Sequence, residues 1–208
     1  MELVLVTLLA IGAYLAGSFP TAYIVVRWIR GLDIRLMGSK NVGTLNTFHQ
    51  VGIMGAALVL AVDAAKGALA VLAPGWLGAP GWSVYTTAIL VVVGHNWPVF
   101  LRFRGGKGVA SALGISLVLV PQLTLIALAP TILLVALTRN MIIGVGVGII
   151  VVNALAVATH QGAGQVALFL SLTLLVAGAY VVATWGQIGT AIKTRRFRGI
   201  FYGTNFNP

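Results

Sequence analysis

Residues 108–138, GVASALGISLVLVPQLTLIALAPTILLVALT, are apolar, carry no charged side chain, and decide how many times the chain crosses a membrane. As one helix this stretch would be about 46 Å long, against a hydrocarbon core of about 30 Å. Divided at Pro121-Gln122 it gives two pieces, each somewhat short of a full span. Proline has no backbone N–H to donate and disfavours helix in the residue before it, so a break at Pro121 is physically reasonable. Length alone does not choose between one helix and two.

Charge does choose. Arg27, Arg30, Arg35 and Lys40 precede the second apolar run, Arg102, Arg104 and Lys107 precede residue 108, and Lys193, Arg195, Arg196 and Arg198 lie in the tail. Loops that stay in the cytoplasm carry the excess of Lys and Arg. With seven spans, these three clusters and Arg139 all fall on one side, and the opposite loops, 73–82 and 160–164, contain no Lys or Arg. With six spans the tail falls on the wrong side. The expectation is an all-α polytopic membrane protein in one domain, with spans near 2–26, 51–72, 83–101, 108–120, 122–138, 141–159 and 165–185. The N-terminus lies outside and the C-terminus in the cytoplasm. Span 108–120, only about 20 Å long, then begins below the membrane surface.

Composition agrees. Of 208 residues 59% are hydrophobic and 8% charged, whereas a soluble domain has about 25% charged residues. The first segment lacks a basic start and a clear small-residue cleavage site, so it is expected to be retained. There is no cysteine, which excludes disulfides and thiolate chemistry. Glu2, Asp33 and Asp63 are the whole acidic supply, and His49, His95 and His160 are scattered. These assemble no metal site and no paired-carboxylate site, so neither metal nor cofactor is expected. The net charge of +10 has no extramembrane arm or recognition helix through which to meet nucleic acid. No internal repeat is visible, which weakens a transporter built from repeated halves.

Two cytoplasmic loops carry the chemistry. In the first, Gly38-Ser39-Lys40-Asn41-Val42-Gly43-Thr44-Leu45-Asn46, glycines let backbone amides approach an anion while hydroxyl and amide side chains donate hydrogen bonds. The same residues also suit a polar turn capping the next helix, and composition does not separate the two. The second runs from Gly94-His95-Asn96-Trp97-Pro98 through Phe100 and Phe103 to Gly105-Gly106-Lys107-Gly108-Val109-Ala110. It ends a glycine-rich turn on a lysine at a helix start, where free amides, the positive dipole end and an ammonium converge on a phosphate-sized anion. Leu101 and Gly108 stand where a Walker A loop needs Gly and Ser/Thr, so nucleotide hydrolysis is disfavoured. The competing reading gives Arg102, Arg104 and Lys107 an orientation role against lipid phosphates, and Trp97, Phe100 and Phe103 an interfacial belt. His95 suits a general base or a structural hydrogen-bonder equally. Asp63 and Lys66, at i, i+3, can neutralise one another within the second span. Gly17-Ser18-Phe19-Pro20 can kink or closely pack the first helix and is given no chemistry.

With these motifs in place, the chain resembles the bacterial PlsY family, membrane acyltransferases that use acyl phosphate to acylate glycerol 3-phosphate. The resemblance covers nearly the whole chain: Gly17-Ser18-Phe19-Pro20, Gly38-Ser39-Lys40-Asn41-Val42-Gly43, Asp63 with Lys66-Gly67, and above all Gly94-His95 through Ala110. It implies seven helices, a bacterial inner-membrane location and a cytoplasmic active site that makes lysophosphatidate, with membrane lipids around it. Ser39, Lys107 and His95 are implied as catalytic. Asn41, Gly43, Thr44, Asn46, Gly105, Gly106 and Gly108 are implied as substrate contacts, and His49, Arg195 and Arg196 are the residues expected to substitute for acceptor contacts of the family that this chain lacks. Because an acyl phosphate is already activated, positioning two anions and neutralising the departing phosphate is most of the task. With so few carboxylates, a substrate phosphate oxygen is the expected proton acceptor.

There are departures. Leu45 and His49 replace a usual threonine and arginine, and Asn140-Met141-Ile142-Ile143-Gly144 lacks the usual serines after Arg139. The third motif, an Arg-His with Asn and a following Arg-Leu that helps hold glycerol 3-phosphate, is not recognisable in Trp185-Gly186-Gln187-Ile188-Gly189-Thr190-Ala191-Ile192-Lys193-Thr194-Arg195-Arg196. A relative with another acceptor or without activity, and an anion transporter built on the Lys107 loop, therefore stay beside the acyltransferase.

Overall fold

In hydrocarbon each backbone N–H and C=O must find its partner within the segment, so apolar runs of this length form helices. The structure, a computed structural model, describes residues 1–194, with side chains through Trp185, and among the described residues it contains no strand. Its helices are α1 Glu2–Ser18, α2 Thr21–Arg30, α3 Thr44–Trp76, α4 Ser83–Asn96, α5 Val109–Leu119, α6 Pro121–Thr138, α7 Met141–Ala158 and α8 Ala163–Thr194. Six stretches are long and apolar enough to cross a membrane, taking α1 and α2 together, and α5 is a shorter apolar helix beside them. The protein is thus an all-helical, multi-pass membrane protein.

The deciding stretch does divide at Pro121, which takes the first position of α6, where its missing N–H costs no intrahelical bond. Other boundaries move. The first span is two helices, because Pro20 follows Ser18 and Phe19 and interrupts the hydrogen-bond ladder. The second begins at Thr44 rather than near residue 51, and its two pieces meet at Gly52, whose φ of 81° no helical residue adopts. The third ends at Asn96, and Val99–Leu101 is a separate single 3-10 turn beyond Pro98. The last runs on to Thr194.

Half of α4's apolar window is buried inside the protein (50%), against 11% for α7, which places α4 at the centre and α7 at the periphery. Ala88, Val91 and Val92 of α4 have no exposed surface and pack with Ile115 of α5 and Leu168, Phe169 and Leu172 of α8. Two helix pairs approach at reciprocal glycines. Gly17 of α1 lies against the Val91 carbonyl while Gly94 of α4 lies against that of Tyr14. Likewise Gly67 of α3 meets the Ser111 carbonyl while Gly114 of α5 meets that of Ala64. A Cβ at any of the four would enter a backbone carbonyl, so close van der Waals packing, the main attraction available between helices in lipid, depends on their absence. These contacts fix α5, only about 16 Å long, against α3.

Candidate active site

The first loop is organised from inside. Asp33 caps the 3-10 turn Ile34–Leu36 and receives the Arg35 guanidinium, with Nε to Oδ1 at 3.0 Å and Nη2 to Oδ2 at 2.7 Å. That hydrogen bond is the main reason the Asp33 carboxyl is held below the usual carboxylate range. Arg35 also stacks over Tyr23 at 5.2 Å and donates from Nη1 to the Leu101 carbonyl at 3.3 Å, tying the first loop to the second. Asn46 holds the remainder. Its buried Nδ2 donates to the carbonyls of Ile34, Met37 and Asn41 at 3.3, 3.0 and 2.9 Å, and its Oδ1 accepts from Gln50 Nε2 at 3.4 Å. Gly43 precedes α3, and its carbonyl accepts from both the N–H and the hydroxyl of Thr47.

Asn46→Ala would leave the Asn41 carbonyl without its donor and take a second donor from the Ile34 and Met37 carbonyls, which keep the Met37 and Lys40 N–H groups, a loss of about 1–3 kcal/mol. It should lower the unfolding midpoint in detergent and raise proteolysis between Gly38 and Asn41. An unchanged midpoint and cleavage pattern would show that Asn46 does not brace the loop.

The second loop folds back on the end of α4. Gly106 N–H donates to the His95 carbonyl at 3.0 Å. A Cβ on Gly105 would collide with the His95 carbonyl and Pro98 Cδ, and one on Gly106 with His95 Nε2 and the Val42 carbonyl. Gly108 is left-handed at φ 77°, with Asn96 Oδ1 2.7 Å from where its Cβ would be. The glycines therefore let the loop lie on α4 and touch the first loop at Val42, and the Gly106 amide is taken up by α4. Gly108 caps α5 without a side-chain hydrogen bond, so the first amides of α5 lack a side-chain acceptor.

Behind the loop lies a recess of about 10 Å³, room for one water-sized group. Its lining includes Ser18, Thr21, Asp63, Lys66, His95 and Gly106. Asp63 Oδ1 binds Lys66 Nζ at 2.7 Å and accepts from Thr21 Oγ1 at 3.0 Å, and Lys66 also donates to the Phe19 carbonyl at 2.7 Å. His95 Nδ1 stands 3.9 Å from Asp63 Oδ2. Lys107 lies outside the recess, half-buried, with Nζ 4.2 Å from the centre of the Tyr180 ring. Burial pushes its ammonium below the ordinary lysine value.

Of the residues the sequence singled out, Gly105, Gly106, Gly108, His95 and Lys107 come together at the junction of α4 and α5, with Val42 bringing the first loop against them. Ser39 is exposed in the turn that follows Leu36, Asn41 and Thr44 are half-buried, and Asn46 is turned into the loop. His49 is exposed on the first turns of α3, edge-on to Phe48 at 5.4 Å. Arg195 and Arg196 lie outside the described residues. The sequence reading gave no chemistry to the Ser18–Thr21 break and overlooked Tyr180. The break had a signal, Ser18-Phe19-Pro20-Thr21, a proline with hydroxyl residues close on either side inside an apolar run; Tyr180, one aromatic in an apolar helix, had none.

The sequence profile of glycerol-3-phosphate acyltransferases matches residues 7–192. The chain belongs to this family. It is 39% identical to glycerol-3-phosphate acyltransferase 2 of Dehalococcoides mccartyi strain 195, over 84% of this chain and 83% of that one. With the glycerol-3-phosphate acyltransferase of Clostridioides difficile strain 630 the identity is 40%, over 84% and 89%. Against glycerol-3-phosphate acyltransferase 4 of Dehalococcoides mccartyi strain CBDB1 it is 45%, but there the chain spans 58% of the relative's length. The crystal structure of PlsY, an integral membrane glycerol 3-phosphate acyltransferase, in its glycerol 3-phosphate form superposes with a TM-score of 0.79 at 26% identity, covering 91% of this chain and 93% of that one. Its lysophosphatidic acid form gives 0.76. Family membership thus extends over the loops, the recess and α8 alike.

Proposed function

We propose that this protein acylates glycerol 3-phosphate, taking the acyl group from acyl phosphate and producing lysophosphatidate for phospholipid synthesis. The observation that carries the reading is that Lys107 stands in a glycine loop directly before the start of α5, whose first amides have no side-chain cap, in a chain that belongs to the glycerol-3-phosphate acyltransferases. Such an arrangement neutralises a phosphate that gains charge as it leaves. In the reaction the glycerol hydroxyl oxygen bonds to the acyl carbon and the bond from that carbon to the phosphate oxygen breaks. The hydroxyl proton passes to a phosphate oxygen, and inorganic phosphate departs.

Of the carboxylates in the loops and the recess, Asp33 is taken up by Arg35 and Asp63 is already paired with Lys66 and Thr21. His95 is 8% exposed, with Nε2 against Gly106 and its carbonyl bound by the Gly106 N–H. This supports a role in seating the loop over a role as base. Ser39 is exposed in the first loop, which supports its being open to a substrate arriving from the aqueous side. The distribution of Lys and Arg supports an N-terminus outside, a C-terminus inside and a site facing the cytoplasm of a bacterial inner membrane.

Vesicles containing the purified protein should form lysophosphatidate from acyl phosphate and glycerol 3-phosphate. Hydrolysis or binding of acyl phosphate with no lysophosphatidate would point instead to a different acceptor, the alternative favoured by the altered 185–196 segment. Saturable phosphate uptake without acyl transfer would replace the enzyme with a transporter.

A further inference from the structure

Lys107 needs to be held in place before any phosphate reaches it, and the loop that bears it offers little to do so. Glycines flank it on both sides, and a four-carbon side chain on such a backbone samples many rotamers. Among the described residues it forms no ion pair, and its ammonium instead sits over the Tyr180 face at 4.2 Å. Tyr180 comes from α8, far along the chain, and α8 is fixed to the loop's own support. Asn96 Nδ2, at the end of α4, donates to the Leu175 carbonyl at 3.3 Å, and Leu168, Phe169 and Leu172 pack in the central core. Tyr180 follows these residues one to three turns further along the same helix, so α8 presents the ring at a fixed height beside the Gly105–Gly108 loop.

We propose that Tyr180 is a positioning residue, whose ring face holds the Lys107 ammonium at the mouth of the glycine loop until substrate phosphate takes it. This rests on the phosphate-binding role of Lys107 proposed above. A cation over an aromatic face is held strongly enough to be ordered, yet weakly enough to be surrendered. A carboxylate there would bind the ammonium more tightly and compete with the substrate; a charge-assisted hydrogen bond to phosphate outbids the ring. An aromatic partner orders the lysine without neutralising it. The contact also gives α8 a part in the site beside the altered motif of residues 185–196.

The test uses the full-length protein in vesicles, with kcat and KM for each substrate and inorganic phosphate as a competitive inhibitor. Tyr180→Phe keeps the face and should stay within about 2-fold of the parent, while Tyr180→Leu should lower kcat/KM and weaken phosphate inhibition by about 3- to 30-fold. In a Lys107→Ala background, Tyr180→Leu should add nothing further. If Tyr180→Leu does not fold, phenylalanine and its fluorinated analogues at position 180 keep the shape while draining the ring face, and the loss should grow with fluorination. Equal losses with and without Lys107, a flat fluorination series, or a Tyr180→Phe as damaging as Tyr180→Leu would each overturn the proposal. A harmful Lys107→Ala beside a neutral Tyr180→Leu overturns this inference alone, whereas a neutral Lys107→Ala overturns the phosphate reading with it.

Discussion

Lys107→Ala should reduce kcat/KM for acyl transfer by about 100- to 1000-fold, the loss seen when one donor to a developing oxyanion is removed from a shielded site. The lysine contributes a full positive charge where the departing phosphate gains negative charge, and its half-burial makes that charge worth more than it would be in water. Lys107→Arg keeps the charge but replaces a compact ammonium with a planar fork on a longer side chain, so it should recover only part of the loss. The pH profile provides an independent reading. Burial lowers the lysine's pKa, so the charged form prevails below that lowered value and is lost as pH rises through it. In kcat/KM, which reports the free enzyme, the alkaline limb should therefore fall at a lower pH than an ordinary lysine would give. In Lys107→Arg that limb should disappear, because a guanidinium stays protonated. Full activity in Lys107→Ala membranes would remove the lysine from the reaction.

The legible parts of this protein are those where one residue type has one physical use. Pro121 could not continue a helix from the residues before it, and the stretch 108–138 does divide there into α5 and α6. The Gly105-Gly106-Lys107-Gly108 run was legible as a unit, but its reason was only half visible. The sequence suggested amides left open to an anion, whereas the Gly106 N–H is given to the His95 carbonyl, and the fit against His95 and Val42 depends on α4 and the first loop arriving from elsewhere. Asn46 illustrates the converse. An amide in a polar loop suits a ligand or the loop itself, and only the convergence of three carbonyls on its Nδ2 shows that it is turned inward. Helix ends were the least legible, since apolar content marks where a segment can sit in lipid and says little about turns beyond it. Thus α3 extends seven residues ahead of its expected start, from Thr44 rather than near 51, and is interrupted at Gly52. Tyr180 lay beyond reach because a partner for Lys107 could have come from any helix.

The buried ion pair behind the loop should reveal itself by its non-additivity. Asp63 and Lys66 are 2% and 7% exposed within a membrane-spanning helix, where an unpartnered charge is expensive. Asp63→Leu would leave the Lys66 ammonium with only the Phe19 carbonyl and ring, and Lys66→Met would leave the carboxylate with only the Thr21 hydroxyl and a histidine nitrogen 3.9 Å away. Either single change should destabilise the fold by about 3–5 kcal/mol, whereas Asp63→Leu with Lys66→Met removes both charges and should be close to neutral. Denaturant titration in mixed micelles measures all three. Equal destabilisation by the single and double changes would show that packing, not charge compensation, sets the cost. Activity of the double variant then separates two uses of the pair. Lys66 anchors the Phe19 carbonyl at the break between α1 and α2, and Asp63 faces His95, which bears the Gly106 loop. A double variant that folds but loses acyl transfer would mean that the pair holds these elements in register for the reaction. One that folds and stays active would mean that the pair supports the bundle alone, leaving the seating of the loop to the glycines and His95.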